Sequence, residues 1–162
     1  METQKYKELV SKYANMSFKI AYNYCQNKYD AEDVVQNTFL KLLQHKGDFA
    51  DDEHTKRWLI RVTINEAKNM CTSFWRKRIV SLEESKSDAE FSFENGEESA
   101  LYDAVMSLGE KYRIVVHLYY YEEYSVREIS EILNIKETTI QTRLMRARAK
   151  IKSMVKGDWL DE

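Results

Sequence analysis

The complete absence of proline is the feature that most restricts how this chain folds. The 162 residues contain no proline and only four glycines. Tight turns depend on backbone conformations that these two residue types adopt most readily, so a turn-rich β-sandwich or β-barrel is disfavoured. Leucine, lysine, glutamate, alanine and methionine, which favour helix, are well represented. We therefore predict an all-α protein, with a length that suits two small helical domains.

Charge divides the sequence into three parts. Residues 1–78 hold 14 basic and 10 acidic side chains, whereas residues 79–98 hold one lysine and seven acidic side chains. Residues 136–156 hold seven basic side chains and one acidic side chain. The acidic segment is serine-rich and has no clear helical period. We predict a helical bundle over residues 1–78, a flexible acidic linker over residues 79–98, and a second helical domain over residues 99–162.

Several functional classes are disfavoured by what the sequence lacks. It has no apolar run long enough to span a membrane, and its polar N-terminus does not resemble a signal peptide. It has neither a CxxC pair nor a glycine-rich phosphate loop, and its cysteines and histidines are scattered: Cys25, Cys71, His45, His54 and His117. We expect a cytoplasmic protein without membrane insertion, with two buried free thiols, no metal, no cofactor and no enzymatic activity.

Apolar residues at helical spacing predict helices throughout the first 78 residues. An amphipathic segment precedes Asp30, which can cap a helix that runs from Ala31 to about Gln44. After a polar stretch, a further helix is predicted from about Lys56 to Lys77.

Aromatic side chains lie among basic ones around that last helix. Aromatic rings can stack on unpaired bases while basic groups follow the backbone, so this mixture is typical of single-stranded DNA binding. Asn65 and Asn69 lie one helical turn apart, and an asparagine amide can read a base edge. We predict that Trp58 lies in the core, whereas for Phe49 a core role and a stacking role remain equally open.

A helix-turn-helix is predicted in the second half. Ser125 and Glu128 have the spacing of a capping box, and the short helix that follows would end at Asn134, which tolerates the left-handed conformation. A second helix would begin near Glu137 or Thr138, with Ile140, Leu144, Ala147 and Ile151 facing inward and Thr139, Thr142, Arg143 and Arg146 facing outward. A helical hairpin with a solvated basic face would show the same periodicity, but the surplus of positive charge favours DNA binding.

Together these segments resemble the extracytoplasmic-function sigma factors of bacterial RNA polymerase. Residues 30–41 (DAEDVVQNTFLK) are similar to the helix with which the family docks on the clamp helices of the polymerase β′ subunit. The resemblance implies that the polymerase contacts are made by Glu32, Asp33, Val34, Gln36 and Phe39.

The promoter-reading segments of the family have counterparts here too. Residues 58–69 are similar to the helix that melts and reads the −10 element, and residues 45–56 to the loop that captures a flipped base. The implied −10 contacts are Phe49, Lys56, Arg61, Asn65, Asn69, Arg76 and Arg78. The C-terminal helices are similar to the −35 reader, and residues 101–121 to the helix pair that packs on the β flap. The implied −35 contacts are Lys136, Thr138, Thr139, Gln141, Thr142, Arg143 and Arg146.

On this resemblance, the chain is expected to bind core RNA polymerase and promoter DNA, to direct initiation at −35 and −10 elements, and to be held by an anti-sigma factor. The acidic linker could thread a basic channel of the polymerase or act only as a tether. A dimeric helix-turn-helix regulator and a sigma-like decoy are the alternative classes of protein.

The chain departs from the family pattern at several positions, among them Ser130, where alanine is usual. Two departures bear on promoter preference: Thr138 replaces a glycine at the start of the recognition helix, and residues 50–54 (ADDEH) are unusually acidic for a loop near DNA. They leave the preferred −35 and −10 sequences open.

Overall fold

A computed structural model describes residues 1–78 and 96–155 of the chain. Every regular element in these two ranges is helical, which confirms the predicted all-α class. The described residues belong to two compact units, one on either side of the gap. The predicted acidic linker lies almost entirely outside the described residues.

The N-terminal unit is a bundle of three helices, α1 (Thr3–Cys25), α2 (Lys28–Gln44) and α3 (Asp52–Arg78). Each helix packs against the other two. Apolar side chains recur every three or four residues on each helix and fill the space between them. The largest fully buried ones are Ile20 from α1, Val34 and Leu42 from α2, and Leu59 and Ile60 from α3.

Both predicted helix starts in this unit were too late. The helix α2 begins at Lys28, because the Asn27 side chain caps it by accepting a hydrogen bond from the backbone N–H of Asp30 at 3.1 Å. Asp30 therefore lies in the first turn and is not the cap. The helix α3 begins at Asp52 and not at Lys56, because the Asp51 side chain accepts from the backbone N–H of His54 at 2.7 Å.

Polar contacts fix how the three helices sit against one another. The buried hydroxyls of Ser17 on α1 and Thr63 on α3 lie 2.8 Å apart. The Tyr6 hydroxyl donates to the backbone carbonyl of Phe39 at 2.9 Å. An ion pair joins Lys41 on α2 to Glu66 on α3.

The C-terminal unit contains α4 (Gly96–Met106), α5 (Glu110–Val116), α6 (Val126–Leu133) and α7 (Glu137–Met154). The helix α5 continues into a π-helical turn, His117–Tyr121. The long helix α7 packs against α4, α5 and α6, so its buried side chains lie at the centre of the unit. The predicted inward residues are confirmed, since Ile140, Leu144, Ala147 and Ile151 are all buried.

No helix within the described ranges has the length and apolar character needed to cross a membrane. Cys25 and Cys71 are free thiols, as predicted, but each is half-buried and not fully buried. The Cys71 thiol donates to the Tyr24 carbonyl at 3.4 Å.

Candidate nucleic-acid interface

The turn between α6 and α7 is held by local hydrogen bonds. The predicted capping box is confirmed: Ser125 Oγ accepts from the Glu128 N–H at 3.1 Å, and Glu128 Oε1 accepts from the Ser125 N–H at 2.9 Å. Asn134 has φ 55° and ψ 50°, the predicted left-handed conformation. The Ser130 hydroxyl, at the position where the family usually has alanine, donates to the Ile135 carbonyl at 2.5 Å. These bonds fix the direction in which α7 leaves the turn.

The side of α7 opposite its buried residues is polar and basic. Lys136, Thr138, Gln141 and Arg146 are exposed, and Thr139, Thr142 and Arg143 are half-buried. All seven predicted −35 residues therefore reach solvent.

Two side chains on this face have neighbours that limit their freedom. The Thr142 hydroxyl donates to the Thr138 carbonyl at 2.9 Å. A hydrogen bond from the Arg146 guanidinium holds the pKa of the Tyr112 hydroxyl below its usual value. Arg146 thus lies close to Tyr112 of α5.

Another arginine of α7 is held differently. Arg148 Nε donates to the Tyr120 hydroxyl at 2.5 Å, and its guanidinium lies over the rings of Tyr119 and Tyr120 at 5.4 and 5.5 Å from their centroids. These contacts turn Arg148 toward the π-helical turn, away from the outward face that carries Arg143 and Arg146.

In the N-terminal unit, α3 presents a polar stripe. Arg61, Asn65 and Asn69 follow one another at intervals of four residues, and all three are exposed. Lys56, five residues before Arg61, is half-buried. The prediction for Arg76 and Arg78 concerns side chains outside those that the structure describes.

Beside this stripe, four rings form a cluster, the aromatic loop cluster, at the junction of α2 and α3. The His45 ring stacks on Phe49 with centroids 4.6 Å apart and an interplanar angle of 13°. Trp58 and His54 meet Phe49 edge-on at 5.6 and 5.2 Å. Phe49 and Trp58 are both half-buried, so the predicted core position of Trp58 is only partly correct.

Two histidines that the sequence showed as scattered are therefore brought together, on the two sides of Phe49. Eight residues lie between them in the sequence, and the loop between α2 and α3 folds back to bring both rings to Phe49. Among the described residues, no group of three or more histidine, cysteine or acidic side chains has an arrangement that would hold a metal ion.

The acidic character of residues 50–54 has a structural explanation. Asp51 caps α3, and Glu53 pairs with Arg57 at 3.2 Å. Asp52 accepts from Lys12 Nζ at 2.5 Å and from the Tyr13 hydroxyl at 2.7 Å. Each of the three carboxylates is thus used inside the unit, which reduces the repulsion of a nearby DNA backbone.

The Asp52 contacts also shift two pKa values. Hydrogen bonds from Lys12 and Tyr13 lower the pKa of the Asp52 carboxyl. Burial, followed by the hydrogen bond to Asp52, raises the pKa of Tyr13. This network joins α1 to the first turn of α3, directly after the loop that carries Phe49.

The outward face of α2 differs from the predicted one. Val34 and Phe39 are 0% and 5% exposed, so they belong to the core and are not available for the predicted polymerase contacts. Glu32, Asp33 and Gln36 are exposed, as the prediction requires.

Three large apolar side chains on the same helix are exposed: Tyr29 at 70%, Leu40 at 51% and Leu43 at 46%. None of the three is among the predicted polymerase contacts. Together with Gln36 they lie at intervals of seven, four and three residues (29, 36, 40, 43), which correspond to one or two helical turns. This spacing was the signal that could have identified a second apolar face.

Comparison with known proteins places both units in one family. The profile of Sigma-70 region 2 matches residues 9–78, and that of Sigma-70, region 4 matches residues 98–151. The chain is 27% identical to the ECF RNA polymerase sigma factor SigM of Bacillus subtilis, over 96% of this chain and 98% of SigM. The chain belongs to the extracytoplasmic-function sigma factors. It is also 25% identical to SigW of the same organism, over 92% of this sigma factor and 88% of SigW.

Solved structures show the same fold as this sigma factor. The sigma factor RpoE of Bartonella quintana, solved with the anti-sigma factor NepR, gives a TM-score of 0.69 at 22% identity, over 96% of this chain and 99% of that chain. CnrH, solved with the cytosolic domain of CnrY, gives a TM-score of 0.66 at 22% identity, over 94% of this chain and 88% of the CnrH chain.

The chain is accordingly an RNA polymerase sigma factor that directs promoter-specific initiation of transcription. The region 2 match contains the polar stripe of α3 and the aromatic loop cluster, and the region 4 match contains the helix-turn-helix.

Proposed function

We propose that α2 docks this sigma factor on the β′ clamp helices, that α3 and the aromatic loop cluster open and read the −10 element, and that α7 reads the −35 element. The observation that carries the proposal is the pairing, in one chain, of a basic recognition helix with an exposed Arg61–Asn65–Asn69 stripe beside stacked aromatic rings. The basic recognition helix suits duplex DNA, whereas the polar stripe with its neighbouring aromatic rings suits unpaired DNA.

The docking face on α2 combines apolar and polar side chains. Tyr29, Leu40 and Leu43 provide apolar area, and the acidic Glu32 and Asp33 flank it. Exposed apolar groups rimmed by polar ones mark protein–protein contacts. A basic and apolar surface of the polymerase would complement this face.

The −35 element is read from the major groove. Short polar side chains at the start of α7, Thr138, Thr139 and Gln141, can approach base edges, and Arg143 and Arg146 can donate to guanine or to phosphates. The helix-turn-helix backbone bonds hold this face in place before DNA arrives, so little ordering is needed on binding.

The −10 element is read as single-stranded DNA. Asn65 and Asn69 offer paired donors and acceptors to an unstacked base, while Arg61 and Lys56 contact the backbone. Phe49 offers a ring face for stacking. Its partners His45 and Trp58 hold that ring at the junction of α2 and α3.

We propose the wider setting on the same basis. The polymerisation chemistry belongs to the polymerase, so the chain acts without enzymatic activity of its own and works in the cytoplasm. Two proteins of the same fold were solved with an anti-sigma factor or with a cytosolic partner domain. We infer that an anti-sigma factor also binds this chain and blocks its polymerase-docking and DNA-binding faces.

A pair of substitutions on α7 tests this division of labour. The variant Arg143→Ala, Arg146→Ala should lose promoter-specific transcription while it keeps binding to core polymerase, because the docking face lies on α2. Arg148→Ala is the matched control, since Arg148 lies on the same helix but contacts Tyr119 and Tyr120. Equal losses in the double variant and the control, or loss of core binding by the double variant, would contradict the assignment of α7 as the −35 reader.

A further inference from the structure

We propose that His54 is a positioning residue for −10 recognition, whose imidazole Nδ1 closes the loop that presents Phe49 to unpaired DNA. The inference rests on the proposed function of that loop and extends it to a side chain that does not itself need to touch DNA.

The structure joins the loop to α3 through His54. The backbone N–H of Ala50, the residue next to Phe49, donates to His54 Nδ1 at 2.9 Å. In return, the backbone N–H of His54 donates to Asp51 Oδ1 at 2.7 Å. The two bonds form a cap at the start of α3 that is similar to a capping box, except that His54 accepts from Ala50, the residue before the capping Asp51.

The same imidazole also touches the ring that it positions. Its centroid lies 5.2 Å from that of Phe49, with an interplanar angle of 82°. Gly47, with φ +102°, lets the chain turn just before Phe49, so the loop relies on contacts at its far end to stay in place. His54 supplies such a contact at both the backbone and the ring.

His54 lies outside the core, so its effect on the loop can be tested without unfolding the three-helix unit. Its side chain is exposed, whereas the neighbouring Thr55 and Leu59 are buried in the bundle. Changing His54 should therefore leave the three-helix unit folded and should loosen only the loop. To accept from Ala50, Nδ1 must be unprotonated, so the imidazole acts here as a neutral ring with its proton on Nε2.

The acceptor can be moved by one bond without changing its chemistry. Asparagine places its amide oxygen on Cγ, as histidine places Nδ1, so His54→Asn keeps the acceptor in position. His54→Gln moves the amide oxygen one bond further out, and His54→Ala removes it. All three variants lose the ring contact with Phe49 equally, so the comparison of Asn with Gln isolates the hydrogen bond to Ala50.

Two measurements on the full chain test the proposal. The first is hydrogen exchange of the Ala50 amide in the free protein. We expect exchange in His54→Gln and His54→Ala to be roughly fivefold faster than in the wild type, the factor that corresponds to loss of one ordinary hydrogen bond. His54→Asn should stay close to the wild type.

The second measurement is permanganate reactivity of unpaired thymines at the −10 element, with reconstituted holoenzyme on a promoter mapped with the wild-type protein. Opening should fall by roughly fivefold for Gln and Ala and recover for Asn, with core binding unchanged in all three. Equal behaviour of Asn and Gln in either measurement would overturn the proposal. Failure of the wild-type holoenzyme to initiate would instead count against the proposed function, while the amide measurement would still decide the role of His54.

Discussion

A single methyl-for-hydroxyl exchange at Thr63 should weaken the N-terminal unit, although it keeps the shape of the side chain. The Thr63 hydroxyl donates to the Leu59 carbonyl at 2.7 Å and lies 2.8 Å from the Ser17 hydroxyl. A hydroxyl has one proton, so Ser17 must be the donor in the contact between them. Thr63→Val removes the acceptor and leaves the Ser17 hydroxyl buried at 0% exposure.

The size of the effect follows from what stays unpaired. A buried donor without a partner costs about 1–3 kcal/mol. Because a serine in a helix can turn back to a carbonyl of its own helix, we expect the lower part of that range, about 1–2 kcal/mol. Thr38 is the matched control: it is also 0% exposed, and its hydroxyl donates to the Val34 carbonyl of its own helix at 2.8 Å. Thr38→Val should change the free energy of unfolding by less than about 0.5 kcal/mol.

Urea unfolding of the full chain, followed through the NMR amide signals of Ile20 and Leu59, measures this free energy for the N-terminal unit. Residue-specific signals are needed because two units need not unfold in a single transition. The double variant Ser17→Ala, Thr63→Val should be less destabilised than the sum of its single variants. Equal effects of Thr63→Val and Thr38→Val would show that the hydrogen bond from Ser17 to Thr63 does not stabilise the N-terminal unit.

Four further outcomes are expected. Ser125→Ala should destabilise the C-terminal unit by about 1 kcal/mol, because it removes the cap of α6. Urea unfolding followed through the amide signals of Ile140 and Leu144 measures this, and an unchanged midpoint would contradict it. The lowered pKa of Asp52 should stabilise the protein above the ordinary carboxyl pKa of about 3.9, and this contribution should be lost as pH falls through the folded value. Asp52→Asn should therefore flatten the acidic limb of a pH titration of stability. The raised pKa of Tyr13 should stabilise the protein below about pH 10, and this contribution should be lost as pH rises through the folded value. Leu40→Asp should weaken binding to core polymerase, measured by fluorescence anisotropy, without altering the fold seen by circular dichroism, whereas equal affinity would remove α2 from the docking face.

The helix-turn-helix could be predicted from sequence because its signals are local. These signals are the capping residues of α6, the left-handed Asn134 and the inward spacing of α7. They follow one another directly along the sequence. The predicted start of α2 was wrong for a local reason too, because Asn27 and Asp30 are both suitable N-cap residues. The left-handed Gln26 ends α1 directly before Asn27, and α2 begins after Asn27.

The rest of the candidate site depends on tertiary packing. The partners of Asp52, Lys12 and Tyr13, lie about 40 residues earlier in the chain, so an acidic loop looked unfavourable for DNA. On α2, the periodicity allowed a wide apolar arc, and only the packing of α1 and α3 shows that Val34 is covered while Leu43 stays exposed. The neighbouring helices, and not the sequence of α2 itself, decide which of its apolar side chains are covered.

Run-off transcription with bacterial core RNA polymerase tests directly whether this chain directs promoter-specific initiation. Fragmented DNA from the source genome would be transcribed with and without the protein, and the 5′ ends of the RNA would be mapped. We expect new, protein-dependent ends that share one pair of −35 and −10 sequences, and we expect their loss with Arg143→Ala, Arg146→Ala. Absence of protein-dependent ends, together with tight binding of the protein alone to duplex DNA, would contradict the account and favour a regulator that acts without joining the polymerase.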